Sequence, residues 1–112
     1  IATPEYNGST SGVLKNALDW ASRGPDRILA GKPVAVMGTP TGASGGQGGI
    51  ESVVRLLRRT RSDVLDHVLA VPFAERAFTD DLTLTAPAVR TEMDDLVAEL
   101  VERAHATADI AA

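Results

Sequence analysis

The chain has 112 residues, a net charge of −4, a hydrophobic content of 44% and no cysteine. That length allows one domain with a modest core, and that composition excludes a disordered chain. The acidic balance argues against nucleic acid or an anionic membrane as partner, no apolar run is long enough to span a bilayer, and the lack of cysteine excludes disulfides and thiolate metal sites while fitting a cytoplasmic location.

Ile1-Ala2-Thr3 reads as the end of a buried strand. It leads into Pro4-Glu5-Tyr6-Asn7-Gly8, a turn in which Asn-Gly tolerates positive φ and proline fixes its own φ. Ser9, Thr10 and Ser11 offer capping hydroxyls. A helix is predicted from Gly12, with Val13, Leu14, Ala17, Leu18 and Ala21 on one inward stripe and Trp20 as a packing anchor. Lys15 and Asp19 are spaced to pair on it. Arg23-Gly24-Pro25-Asp26 breaks the helix.

Val34 to Met37 is a short, continuous apolar run between breakers, the pattern of a central strand buried on both faces. Gly38 to Gly49 follows, with six glycines among twelve residues. It joins that strand to a helix expected from about Gln47 to Thr60, where Ile50, Val53, Val54 and Leu57 make the inner face. Arg55, Arg58, Arg59 and Arg61 crowd its later half. They read first as a solvated end suited to the helix dipole, and second as an anion or subunit contact. Val64 to Val71 forms the next strand, stopped by Pro72. Phe73 to Thr85 is irregular, with a turn at Asp80-Asp81. A last helix starts near Pro87 and carries Val89, Met93, Leu96, Val97, Leu100, Val101 and Ala104 as one stripe, fraying from Ala106. Alternation of strands and helices in this order predicts an α/β fold with a parallel sheet and right-handed crossovers.

No catalytic constellation of side chains is evident. His67 and His105 lie on different elements, no metal-ligand spacing occurs, and no serine sits in a nucleophile elbow. Enzymes of this profile leave the difficult chemistry to a cofactor. The turns at 4–8 and 38–46 can supply backbone N–H groups to one.

The run PEYNGS with GVLKNALDW, together with GKPVAVMGTPTGASGGQGG, resembles the NADPH-dependent FMN reductase family of quinone, azo-dye and chromate reductases. The resemblance implies a flavodoxin-like three-layer sandwich with strand order 2-1-3-4-5, of which this chain would supply strands 3, 4 and 5. The family's N-terminal strands and Ser/Arg phosphate loop have no counterpart here. The chain is therefore expected to be the C-terminal part of a single flavodoxin-like domain, unstable without its complement. The resemblance implies FMN as cofactor, NADPH or NADH as co-substrate, a small-molecule electron acceptor and a homodimer or homotetramer. Carried onto this sequence, the cofactor-binding positions are Pro4, Glu5, Tyr6, Asn7 and Gly8 in the first turn and Gly38, Thr39, Gly42 and Gly45 in the second. Glu5 is then not a general base. Tyr6 packs near the ring or the subunit contact, or braces its turn as a half-buried aromatic. Pro40 replaces a serine common in the family, so no N–H or hydroxyl can serve there. Gly45 to Gly49 either cradle a phosphate at the helix N-terminus or allow close packing.

The reaction expected from the resemblance is ping-pong transfer from NAD(P)H through FMN to quinone, azo, metal-oxyanion or flavin acceptors. Two other readings stand beside it. One is a flavodoxin-type electron carrier, which binds FMN without using NADPH. The other is a non-enzymatic fragment, since the phosphate loop is missing.

Overall fold

The computed structural model describes residues 1–111. Helix α1 spans Gly12–Ala21, strand β1 Pro33–Gly38, helix α2 Gln47–Arg59, strand β2 Asp63–Ala70, helix α3 Ala74–Ala77 and helix α4 Pro87–Ala111. Ser11 starts α1 by accepting a hydrogen bond on Oγ from the Leu14 amide at 3.2 Å, which satisfies one of the helix's orphan donors.

β1 pairs in parallel with β2, and Ile1–Thr3 pairs with its other side. Thr3 N–H donates to Met37 O at 2.8 Å, and Met37 N–H donates to Ile1 O at 2.9 Å. β1 is thus the middle strand, and β2 has no strand on its far side among the described residues. Register slips between the two strands: Val34 faces Val64 but Val36 faces Val68, so Ala35 stands opposite Leu65, Asp66 and His67.

Side chains alternate across the sheet, and each face builds its own core. Val34, Val36 and Val64 join Leu18 of α1 and Ile50, Val53 and Leu57 of α2. Ala35, Leu65 and Leu69 join Ala77 of α3 and Leu96 of α4. The order is helix layer, sheet, helix layer, as expected for the flavodoxin-like α/β class. Leu57 and Leu96 are almost completely buried, and truncating either to alanine would cost about 2–5 kcal/mol.

The structure departs from the sequence reading on several elements. On α1 the stripe divides: Leu18 is buried and Leu14 packs against the core, whereas Val13, Ala17 and Trp20 are exposed. Trp20, at 74% exposure, anchors nothing within the chain. The stripe on α4 is likewise narrower. Leu96 packs with Val89, Met93 and Leu100, but Val97 and Val101 are about half exposed. The last helix also continues to Ala111 instead of fraying from Ala106. Finally, the irregular segment after Pro72 contains α3, whose N-cap Phe73 has a left-handed backbone with φ 56°.

Candidate functional site

Both glycine-bearing turns lie at the carboxyl end of the parallel strands, the edge at which open α/β sheets bind ligands. In the first, Tyr6 and Ser9 exchange two backbone hydrogen bonds of 2.9 and 3.1 Å. Asn7 and Gly8 between them have φ of 52° and 73°. Positive φ at both central residues is a type I′ turn, the conformation for which Asn-Gly is suited. Tyr6 is 63% exposed, so its backbone, not its ring, braces the turn.

The second turn leaves β1 at Gly38, where an added Cβ would lie 3.1 Å from Thr3 O and 3.3 Å from Ile50 Cγ1. Gly45 and Gly46 are both left-handed, with φ 63° and 78°. A Cβ on Gly45 would press on Ala70, and one on Gly46 would press on Pro40. Pro40 thus fills a packing role in place of the absent donor. Its carbonyl accepts from Ala74 N–H at 3.0 Å, and Gly42 O accepts from Phe73 N–H at 3.2 Å. Those two bonds tie the turn to the start of α3. Gly42 has open space around its Cα, so no packing within the chain explains that glycine.

The turns meet at the first residues of α2. A Cβ on Gly48 would fall 2.6 Å from Gly8 O, and one on Gly49 would fall 2.8 Å from Pro4 O. Close packing of backbone on backbone is therefore what this glycine pair supplies. The Glu5 carboxylate accepts from Gly49 N–H at 3.1 Å, capping α2 from another part of the chain. A negative charge there also suits the positive end of the helix dipole. Ser9 Oγ and Ser52 Oγ share a hydrogen bond of 3.0 Å that closes the same seam. The candidate positions Pro4, Glu5 and Gly8 are thus brought together against α2. Asn7 sits at the exposed tip of the turn.

Pro4 and Thr39 line one concavity of about 330 Å³, together with Thr3, Met37, Val71 and Met93. It is apolar, with the roots of both turns on its rim. Glu5, Thr39 and Gly42 amides donate to no protein acceptor among the described residues. Thr10 Oγ1, just after the first turn, is buried without a partner. Of these donors Thr39 lines the concavity itself, and an apolar floor with an unspent amide at its wall suits a planar ring with a polar edge. His67 lies on β2 and His105 on α4, away from both turns. No group of metal ligands occurs among the described residues.

Gly48 and Gly49, whose run reads in the sequence as a phosphate cradle or a close-packing device, serve close packing here; Phe73, which completes the arrangement, was not a sequence-derived position. The adjacent glycines opening a helix were the available signal, and only the fold shows what they face. Phe73 had no signal, since left-handed backbone is not expected of phenylalanine.

Residues 1–76 match the model of the NADPH-dependent FMN reductase family. An NAD(P)H-dependent FMN reductase of Pseudomonas aeruginosa is 58% identical over 45 residues, 40% of this chain and 24% of that protein. A probable NADPH:quinone oxidoreductase of rice (Oryza sativa subsp. japonica) is 36% identical over 108 residues, 89% of this chain and 50% of that protein. The solved structure of FerB, a flavoenzyme NAD(P)H:(acceptor) oxidoreductase from Paracoccus denitrificans, superimposes with a TM-score of 0.80 at 27% identity, covering 93% of this chain and 58% of its own. Where most of the chain is matched, it spans about half to three-fifths of the length of these relatives.

Proposed function

Because the chain belongs to the NADPH-dependent FMN reductase family, we propose that the protein it represents is an FMN-dependent NAD(P)H oxidoreductase. It would work by a ping-pong cycle and deliver electrons to quinone, azo, metal-oxyanion or flavin acceptors. The observation that carries this reading is the seam at which Pro4, Glu5 and Gly8 meet Gly48 and Gly49. It fixes two donor-bearing turns against one apolar concavity.

FMN supplies the hydride-accepting ring and can pass its electrons onward. The chain's residues have a narrower task. Pro4, Glu5, Tyr6, Asn7 and Gly8 present the first turn to one edge of the ring. Gly38, Thr39, Gly42 and Gly45 present the second. The free amides of Glu5, Thr39 and Gly42 are the donors for its polar edge, and preorganised amides of this kind stabilise developing negative charge without reorganisation. The Glu5 carboxylate holds the two turns in place and takes no proton in the reaction. Gly42, open on its Cα side, leaves room for the ring.

We also propose assembly as a homodimer or homotetramer. Val13, Ala17 and Trp20 form an exposed apolar row on α1 at the spacing of one helix face, and such rows are more often covered than left wet.

The test is the complete purified protein mixed anaerobically with NADPH in a stopped-flow instrument. A yellow protein bleached within the turnover time is expected. A yellow protein that NADPH fails to bleach would make it an electron carrier, and a colourless one unable to take up FMN would end the proposal.

A further inference from the structure

At the opposite edge of the sheet from the two turns lies a crevice of about 490 Å³. The end of α1, the α1–β1 connection and the end of α2 form it. Lys15, Arg23, Arg27, Arg59 and Arg61 line it, with Asp19 the one acidic lining residue. Five of the chain's eleven basic residues therefore converge on one concavity in a protein of net charge −4. Lys15 is bound to Asp19 at 2.6 Å. Among the described residues, Arg23, Arg27, Arg59 and Arg61 form no ion pair.

Helix dipoles explain part of this charge. Arg59 lies in the last turn of α2, where a cation is favoured. They do not explain Arg27 and Arg61, which stand outside both helices. Each has a left-handed backbone, with φ of 45° and 65°. Glycine or asparagine takes that conformation at less cost, and Arg61 holds the position after a helix cap where glycine is commonest. Two arginines sit strained in separate loops and line the same crevice. Residues held in this region cluster at ligand-binding sites, and these two are the ones that also share a cavity.

We propose that this crevice binds an oligophosphate group, free or as the charged end of a nucleotide. Planar guanidinium groups pair with phosphate oxygens in bidentate fashion, and several of them suit an anion with several linked charges. Leu29 and Leu56 give the crevice an apolar floor, on which an organic portion of the ligand would rest. No lining residue is shared with the paired turns. The site is therefore separate from the one assigned to FMN and does not depend on that assignment.

The test is calorimetric titration of the complete protein with inorganic triphosphate, orthophosphate and adenosine triphosphate at fixed ionic strength. Triphosphate is expected to bind saturably and at least about tenfold more tightly than orthophosphate. An added preference for adenosine triphosphate assigns the ligand to a nucleotide, and equal affinity assigns it to phosphate charge alone. The double variant R27G/R61G removes two cations while relieving both strained backbones. It should keep its fold and its flavin spectrum and lose at least about tenfold in triphosphate affinity. The pair R23Q/R59Q, which leaves the backbone untouched, should lose a similar factor. Undiminished triphosphate binding in both variants, equal binding of orthophosphate, or displacement of triphosphate by FMN would overturn the assignment.

Discussion

Glu5 reaches across 44 residues of sequence to accept a hydrogen bond from the Gly49 amide at 3.1 Å. The bond joins the first turn to the opening of α2. It makes the placement of one turn a condition for the placement of the other. Replacing Glu5 with alanine should cost about 0.5–2 kcal/mol in stability, the range for a lost helix cap. Glutamine keeps the acceptor and should lose only the charge–dipole part, about 0.3–1 kcal/mol. Urea denaturation of the three proteins gives that order if the carboxylate is a cap. FMN affinity should fall in the same order.

The glycine pair that opens α2 makes a sharper prediction, because two effects differ in sign. Within a helix, alanine is favoured over glycine by about 1 kcal/mol. At Gly48 and Gly49 the added methyl would meet backbone oxygens of Gly8 and Pro4 at 2.6 and 2.8 Å. Backbone cannot give way as a side-chain tip can, so each Gly→Ala variant should lose about 1–3 kcal/mol. At Gly12 nothing lies within 4 Å of the added atom and φ is not positive. Gly12→Ala should therefore stabilise by about 0.4–1 kcal/mol. Thermal melts of the three variants decide whether steric contact outweighs propensity.

Acid should open the Thr79–Thr83 turn late. The Thr79 hydroxyl, then the Thr83 side chain and amide, hold the Asp81 carboxylate below its ordinary range. A carboxylate lowered in the folded state contributes stability above its unfolded pKa. That contribution is lost as pH falls through the lower folded value. Amide exchange at Thr79 and Thr83, which bond to Thr83 O and Thr79 Oγ1, should stay protected until pH drops below the ordinary aspartate range. In Asp81→Asn that acid transition should vanish.

Trp20→Glu tests the assembly proposal. A charge placed in the exposed row of Val13, Ala17 and Trp20 would be buried unpaired if copies meet there. The dissociation constant should then rise at least about thirtyfold, from the 2 kcal/mol or more expected of a buried aromatic anchor. Sedimentation measures it directly. An unchanged assembly mass would move the contact elsewhere on the surface.

The alternation of strands and helices was legible because it rests on local periods. Val34 to Met37 reads as a buried strand from its own residues and its glycine and proline borders, and Pro87 marks a helix start wherever the helix packs. The direction of an apolar side chain was less so. Val13 and Ala17 share a spacing with Leu14 and Leu18, and the sequence does not distinguish a core from a face left for another molecule. α3 was missed because four residues carry no period. The candidate turns were found through resemblance, whereas the bond from Glu5 to Gly49 and the approach of Gly48 to Gly8 depend on partners 44 and 40 residues apart. The strained arginines were noticed in part as a charge cluster. Their backbone conformation, which separates a ligand site from a solvated helix end, has no signature in one sequence.

The slipped register between β1 and β2 also bears on how the molecule behaves in a crowded solution. An exposed strand with straight, regular amides is a template on which stray chains can grow. β2 is interrupted where Leu65, Asp66 and His67 stand opposite the single residue Ala35, and the Asp66 side chain is almost wholly in solvent. A foreign strand pairing there would meet a strand bent out of step with its neighbour and carrying the exposed Asp66–Arg58 ion pair on one face, features that make a strand edge a poor template for aggregation.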